Sequence, residues 1–288
     1  MINTRTPSPY SDKSHKGVEM NGAQEWQMAL QGWVTWQKAG RLSPNTLRLR
    51  KYQLLRVAAA FPAGPWKVTG RQLEEWLAAR VWTPATARSH QTSLTRFYRW
   101  AIEHELTTVD PTRTLPKIHE LEGVPRPATE RAIDDALAQA DDRQFLMIRL
   151  AARHGLRRGE IARVNTSDLI EGARSWSLLV HGKGGKDRVV PLFPETARAI
   201  REAEAGWLFP NGKGSHLSPG HVGVLITRAL PVGVTPHQLR HRFATKAYRQ
   251  TKDILNLRIL MGHASVKTTQ RYAEADEDEQ LAVLMAAA

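Results

Sequence analysis

The chain contains no cysteine. That excludes disulfides and every zinc site built on thiolates, so any metal would have to be held by His and carboxylates. It also contains no apolar run near the roughly 18 residues that a membrane-spanning helix needs. The first residues, MINTRTPSPYSDKSHKGVEMN, include no apolar segment that would act as a signal peptide. A cytoplasmic protein with no membrane partner is therefore expected. Acidic residues are scarce as well: 28 Asp and Glu stand against 41 Lys and Arg, a net charge of +13. Such an excess favours a polyanionic partner, with nucleic acid ahead of a membrane surface.

What is present points to two domains, since 288 residues exceed the usual size of one. Residues 1–21 are rich in Ser, Pro and Lys with no apolar period and read as a disordered basic arm. From Ala23 a helical pattern begins, with Trp26, Leu30 and Trp33 at spacings of four and three, and Gly40 marks its stop. This stripe reads as core rather than as a base-stacking platform. Two further helices start on the same signal, SPNTLR and TPATAR, where Ser43 and Thr83 serve as N-caps and Pro44 and Pro84 occupy the first helical position. Between them TGRQLEEWLAAR turns Leu73, Trp76 and Leu77 inward. Residues 22–108 thus form a four-helix domain, and the proline-rich stretch 109–126 is an extended linker to a second domain over 127–288.

In the fourth helix Leu94, Phe97 and Ala101 form the apolar line, while Arg88, Thr92, Arg96 and Arg99 fall on another face. That face suits phosphates and base edges in a DNA groove. The pattern alone fits a solvated basic face equally well. In the second domain, TERAIDDALAQA and RQFLMIRLAARHG are helical, the latter with Gly155 as its stop, and SWSLLVHGKGGKDRVVPL has two β-prone runs around a Gly-Lys turn, the mark of a hairpin. The fold class is mainly α with a small β-hairpin or sheet, that is, α+β.

Three stretches carry chemistry. In TPHQLRHRFAT, Thr235 and Pro236 open a helix whose His237, Arg240 and His241 share one face, with Leu239 and Phe243 on the opposite, buried face. The two His mimic a zinc-protease helix, but Gln238 stands where that motif needs a Glu. Cations beside a helix N-terminus instead suit a phosphate oxyanion. In GLRRGE, Glu160 is spaced to orient an Arg through a charge-assisted hydrogen bond. HGKGGKDR lacks the final Ser or Thr of a P-loop; it reads as a soluble turn or as a mobile tip whose Lys183 delivers a proton.

GLRRGE, GKGGKDRVVPL, HQLRH and LMGHASVKTTQRYA occur in an order and spacing that resemble the tyrosine recombinase family, the phage integrases and their Xer-type relatives. The resemblance spans residues 155–273 and implies a tyrosine-recombinase catalytic domain; the four-helix unit before it looks like the family's core-binding domain. Carried over residue by residue, it implies catalytic roles for Arg157, Lys183, His237, Arg240, His263 and Tyr272, with Glu160 and His241 in support, Tyr272 as nucleophile, and Arg157, Arg240, His237 and His263 supplying a field of positive charge around it. It further implies cleavage and rejoining of double-stranded DNA at core or attachment sites through a 3′-phosphotyrosyl link, without metal or ATP, by a homotetramer on paired sites. The terminal stretch EADEDEQLAVLMAAA then reads as a helix that packs into a neighbouring protomer or in cis. A short phage or mobile-element integrase is expected first and an Xer-type resolvase second. A DNA-binding regulator that does not cut and a relaxing topoisomerase are the readings of other kinds.

Overall fold

Helix starts are written into this chain as side chains that accept the first free backbone N–H groups. The computed structural model describes residues 20–119, 127–182, 184–263 and 269, and the chain divides into two units, Met1–Glu122 and Gly123–Ala288. The first unit holds α1 (Gly22–Ala39), α2 (Pro44–Ala60), α3 (Gly70–Ala78) and α4 (Pro84–Glu103). Ser43 and Thr83 accept from the N–H groups of Thr46 and Thr86 at 3.3 Å each, with proline next in line, as SPNTLR and TPATAR predict. α1 and α3 start on a reciprocal form: the side-chain oxygens of Gln24 and Gln72 accept in return from the N–H groups of Asn21 and Thr69, at 3.0 and 2.9 Å. Each such cap is worth about 1 kcal/mol.

Phe97 of α4 is the centre of this unit's core. It is fully buried, stacked against Trp26 and Trp66 and met edge-on by Trp33 at 5.6 Å between ring centroids. The indole N–H of Trp26 donates to the Phe61 carbonyl at 2.8 Å, so the ring is buried without stranding its polar atom. The aromatic stripe of α1 is core, as its spacing predicts. Buried Gln53 joins α2 to α4, accepting from Ser93 at 2.6 Å and donating to Ser89 at 2.9 Å. With one side of α4 spent on the core, Arg88, Thr92, Arg96 and Arg99 are left exposed.

The second unit begins with α5 (Glu130–Gln139), α6 (Asp142–Ala152) and the single turn α7 (Arg158–Ile161). Next come β1 (Leu169–Glu171), β2 (Trp176–Val180) and β3 (Arg188–Pro191), then α8 (Pro194–Arg201), α9 (Pro219–Ala229), α10 (Pro236–Thr251) and α11 (Ile254–Met261). The expected hairpin is β2–β3, and β1 extends it to an antiparallel sheet in the order β1-β2-β3, with Leu178 paired to both Leu169 and Val190. Leu178, Val180 and Val190 face a core shared with Met147, Ile148 and Leu150 of α6 and Leu239 of α10. Phe243, expected to be buried beside Leu239, is only half-buried. It lies over Gly155, where an added Cβ would collide with its ring.

Gly155 does not itself end α6. That helix stops at Ala152 with Arg153 as its cap, and Gly155 turns the chain two residues later at φ +67°. α10 is tied to the start of α5 by Arg242, whose Nε donates to Glu130 at 2.6 Å. No described helix is long and apolar enough to cross a membrane.

Candidate active site

Arg157 sits in extended backbone just before α7, and the turn exists because Glu160 folds back on it. Glu160 Oε2 accepts the Arg157 N–H at 2.8 Å and Oε1 accepts from its Nη1 at 2.7 Å. The same carboxylate takes both terminal nitrogens of Arg188, from β3, at 3.0 and 2.9 Å. Arg240 Nη1 stands 3.9 Å from it. Three guanidiniums therefore surround one buried carboxylate, leaving two positive charges in excess.

The end of α11 supplies the rest of the frame. Leu260, Met261 and Gly262 each offer a carbonyl to a different arginine: Arg188 Nε at 2.7 Å, Arg240 Nη2, and Arg157 Nη2 at 3.1 Å. The last turn of a helix points unpaired carbonyls and negative partial charge outward, so it is a natural seat for cations. Arg240 Nη1 also donates to the Gly155 carbonyl, 85 residues away in sequence. Gly262 has φ +58°, and a Cβ there would come within 2.8 Å of Arg188 Nη1; glycine is needed both for the turn and for the guanidinium beneath it. Burial separates the arginines: Arg188 and Arg240 side chains are 8% and 3% exposed, Arg157 is 38% exposed. Arg157 is the one open to a ligand from solvent.

His263 follows Gly262 directly. Its Nε2 lies 3.1 Å from Arg240 Nη2 and its Nδ1 3.0 Å from the Thr269 hydroxyl. A guanidinium only donates, so Nε2 accepts and the ring proton is on Nδ1. Burial, then the charges of Arg240, Arg157 and Arg188, push its pKa down to about 4. At neutral pH His263 is uncharged: it orients Arg240 and adds nothing to the positive field, against the expectation that it contributes charge. Burial alone would raise the Glu160 pKa, but the hydrogen bonds from Arg188 and the Arg157 N–H, with the charge of Arg188, outweigh it and hold the carboxylate at about 2. It is ionised throughout the physiological range.

His237 lies in the first turn of α10, exposed, with its ring edge-on to His241 at 4.2 Å between centroids. Gln238 has a local role: its Oε1 accepts from the Thr235 N–H at 2.6 Å, closing the cap that starts the helix. Arg157, Glu160, Arg240 and His263 thus form one cluster, with His237 and His241 one face of α10. Lys183 and Tyr272 lie outside the described residues, as do residues 1–19 and the terminal stretch 270–288. Thr269, fully buried, stands three positions before Tyr272. Arg188 escaped the sequence reading because it is an ordinary strand residue there; its pairing with Glu160 spans 28 positions. Among the described residues no cluster of His, Asp or Glu is arranged to hold a metal ion.

In the first unit, Arg88, Thr92, Arg96 and Arg99 line a groove of about 890 Å³ together with Lys117 and His119, with Glu103 as an acid in the lining. A smaller hollow of about 390 Å³ on the α2 side shares Arg88 and Thr92 and adds Arg50, whose pKa is lowered by burial and by the charge of Arg96. The Thr92 hydroxyl donates to the Arg88 carbonyl at 2.8 Å, so its oxygen is left to accept. The four residues form one basic face with a hollow on either side.

Residues 128–279 match the model of the phage integrase family. Tyrosine recombinase XerC of Rhodospirillum centenum is 35% identical over 72% of this chain and 68% of its own length. Tyrosine recombinase XerC of a Methylobacterium species is 30% identical over 92% and 94%. Among solved structures, a lambda integrase dimer bound to a COC′ core site superposes with a TM-score of 0.71 at 19% identity, covering 87% of this chain and 96% of that one.

Proposed function

We propose that this chain, which belongs to the phage integrase family of tyrosine recombinases, cuts its DNA site with Tyr272 under the field of Arg157 and Arg240. Members of the family cleave and rejoin DNA by site-specific recombination, and the chain is an enzyme of that kind. The observation that carries the residue assignment is the convergence of Arg157, Arg240 and His263 on the end of α11, with His263 nine positions before Tyr272.

A Tyr phenol has a pKa of about 10 and is a weak nucleophile at neutral pH without a base or a positive field. His237, on the exposed first turn of α10, takes its proton. The attacked phosphodiester gains negative charge on its non-bridging oxygens; the exposed Arg157 fork meets that charge through hydrogen bonds that a Lys point charge would not match, and buried Arg240 adds its charge to the field. Glu160 fixes Arg157, and neutral His263 fixes Arg240. Lys183, on the β2–β3 turn, protonates the leaving 5′ oxygen. The product is a 3′-phosphotyrosyl link and a free 5′ hydroxyl, so the ester is conserved and a second strand's hydroxyl can reverse the step without ATP. The basic face of α4 holds the DNA backbone.

Identities of 30% to 35% to XerC and XerD proteins favour an Xer-type role, resolution of DNA dimers, over the phage or mobile-element integrase that the sequence reading places first. Strand exchange by four protomers, linked through residues 277–288, belongs to the same reading. The test is trapping on nicked suicide duplexes built from DNA flanking the gene. The intact chain forms a covalent adduct and Tyr272→Phe forms none; an adduct with Tyr272→Phe sinks the assignment.

A further inference from the structure

The turn between β2 and β3 has a tight neck and an open tip. At the tip, Gly184 and Gly185 have φ of +75° and +71° and nothing within 4 Å of an added Cβ. At the neck, a Cβ on Gly182 would strike the Lys186 carbonyl, so the two arms touch there. Lys183 lies between neck and tip in sequence.

His181, the residue after β2, sits at that neck between two carboxylates. Its Nε2 is 3.0 Å from Asp168 Oδ1 and its Nδ1 3.0 Å from Asp187 Oδ2. Asp168 belongs to the short helical turn before β1, where its other oxygen accepts the Asn165 N–H at 3.1 Å; Asp187 is on the opposite arm, next to β3. The His181 carbonyl accepts from Arg163, whose Nε also donates to the Gly159 carbonyl of α7 at 3.0 Å. Among the described residues, the charged groups facing His181 are thus Asp168, Asp187 and, on its backbone side, Arg163. An ionised carboxylate only accepts, and a neutral imidazole has one N–H. Both contacts are satisfied together only by the imidazolium.

We propose that His181, as an imidazolium bridging Asp168 and Asp187, is the positioning residue that locks the neck of the β2–β3 turn and thereby places Lys183. Its effect on cleavage rests on the reading of Lys183 as proton donor; the lock itself does not. Hydrogen bonds to Asp168 and Asp187 raise the His181 pKa. By the sign of that shift, the lock is complete below about 6.5, the ordinary His value, and is lost as pH rises through the raised one. When the proton leaves, one carboxylate faces a lone pair and an arm of the turn is released. The turn is thereby tied by Arg163 to the helix that carries Glu160, and by Asp187 to the strand that carries Arg188.

The test is amide hydrogen exchange of residues 181–188 in the full chain without DNA, from pH 6 to 9 and corrected for intrinsic rates, with ring nitrogen NMR of His181. Exchange in the turn rises about two- to fivefold across that range in the natural protein, as expected for losing one half-exposed pair. His181→Gln and the solvent-side variant Asp187→Asn show the raised level at every pH. Equal protection in all three, or no pH dependence in the natural protein, overturns the lock. The second arm compares cleavage of a normal phosphodiester with a 5′-bridging phosphorothiolate, whose sulfur leaves without needing a proton. His181→Gln slows the first and is restored on the second; equal slowing on both overturns the placing of Lys183. A natural protein that cleaves neither substrate overturns the recombinase assignment, and the exchange result alone then decides the lock.

Discussion

Glu160→Gln is the sharpest perturbation of the arginine cluster, because it removes charge without removing volume. Glu160 accepts from Arg157 twice and from Arg188 twice, all within 3.0 Å, in a site where the Glu160 side chain is 3% and the Arg188 side chain 8% exposed. Glutamine keeps one acceptor oxygen and turns an NH2 toward guanidiniums that only donate. Stripping a buried pair of one partner costs about 3–5 kcal/mol, and the retained oxygen places this change at about 3. For a domain of this size the melting midpoint falls by roughly 6–12 °C. The measurement is thermal unfolding by circular dichroism at pH 7.5. Adding Arg188→Met removes the stranded charge, so the double variant recovers part of the loss rather than adding to it. Since the Glu160 pKa is lowered to about 2, its contribution is complete above about 4.5 and fades as pH falls toward 2, so the two proteins converge in acid. A fall of less than about 2 °C, or additive losses in the double variant, refutes the view that this carboxylate holds the cluster together.

In the first unit, Arg96→Ala weakens DNA binding across all sequences and lowers the salt slope of log K by about 1, read by anisotropy titration at several salt concentrations; an unchanged slope removes Arg96 from the phosphate contacts. Gly155→Ala forces an L-residue to φ +67° against the Phe243 ring and displaces the carbonyl that anchors Arg240. A loss above about 2 kcal/mol in urea unfolding is expected, with reduced covalent adduct at temperatures where the variant is folded, and a silent variant contradicts the geometry.

Helix starts were the most legible part of this chain. A Ser or Thr followed by Pro fixes the first turn through local bonds alone, and α2 and α4 begin where those pairs stand. The hairpin was legible for the same reason, because its turn and both runs are contiguous. β1 was not: three residues carry no period, and they become a strand only by pairing Leu169 with Leu178. Nor was α7, a single turn closed by one side chain. Glu160 and Arg240 were singled out by spacing and charge, Arg157 and His263 through motif resemblance, while Arg188 acquires its partner only when segments 28 positions apart meet and His181 only when the β2–β3 turn closes beside Asp168. The neutrality of His263 is likewise a property of the assembled cluster, since the burial and the arginines that depress its pKa come from elsewhere in the chain.

Three consecutive carbonyls at the end of α11 receive three different arginines. Such a rung makes the arginines share one fate: a half-ångström slip of that turn moves the supports of Arg157, Arg188 and Arg240 in the same direction at once. Single substitutions among the three should therefore resemble one another more than their separate positions suggest. The chain leading on from Gly262 toward Tyr272 leaves from this rung, so a pull on it reaches Arg157, Arg188 and Arg240 together rather than any one of them alone.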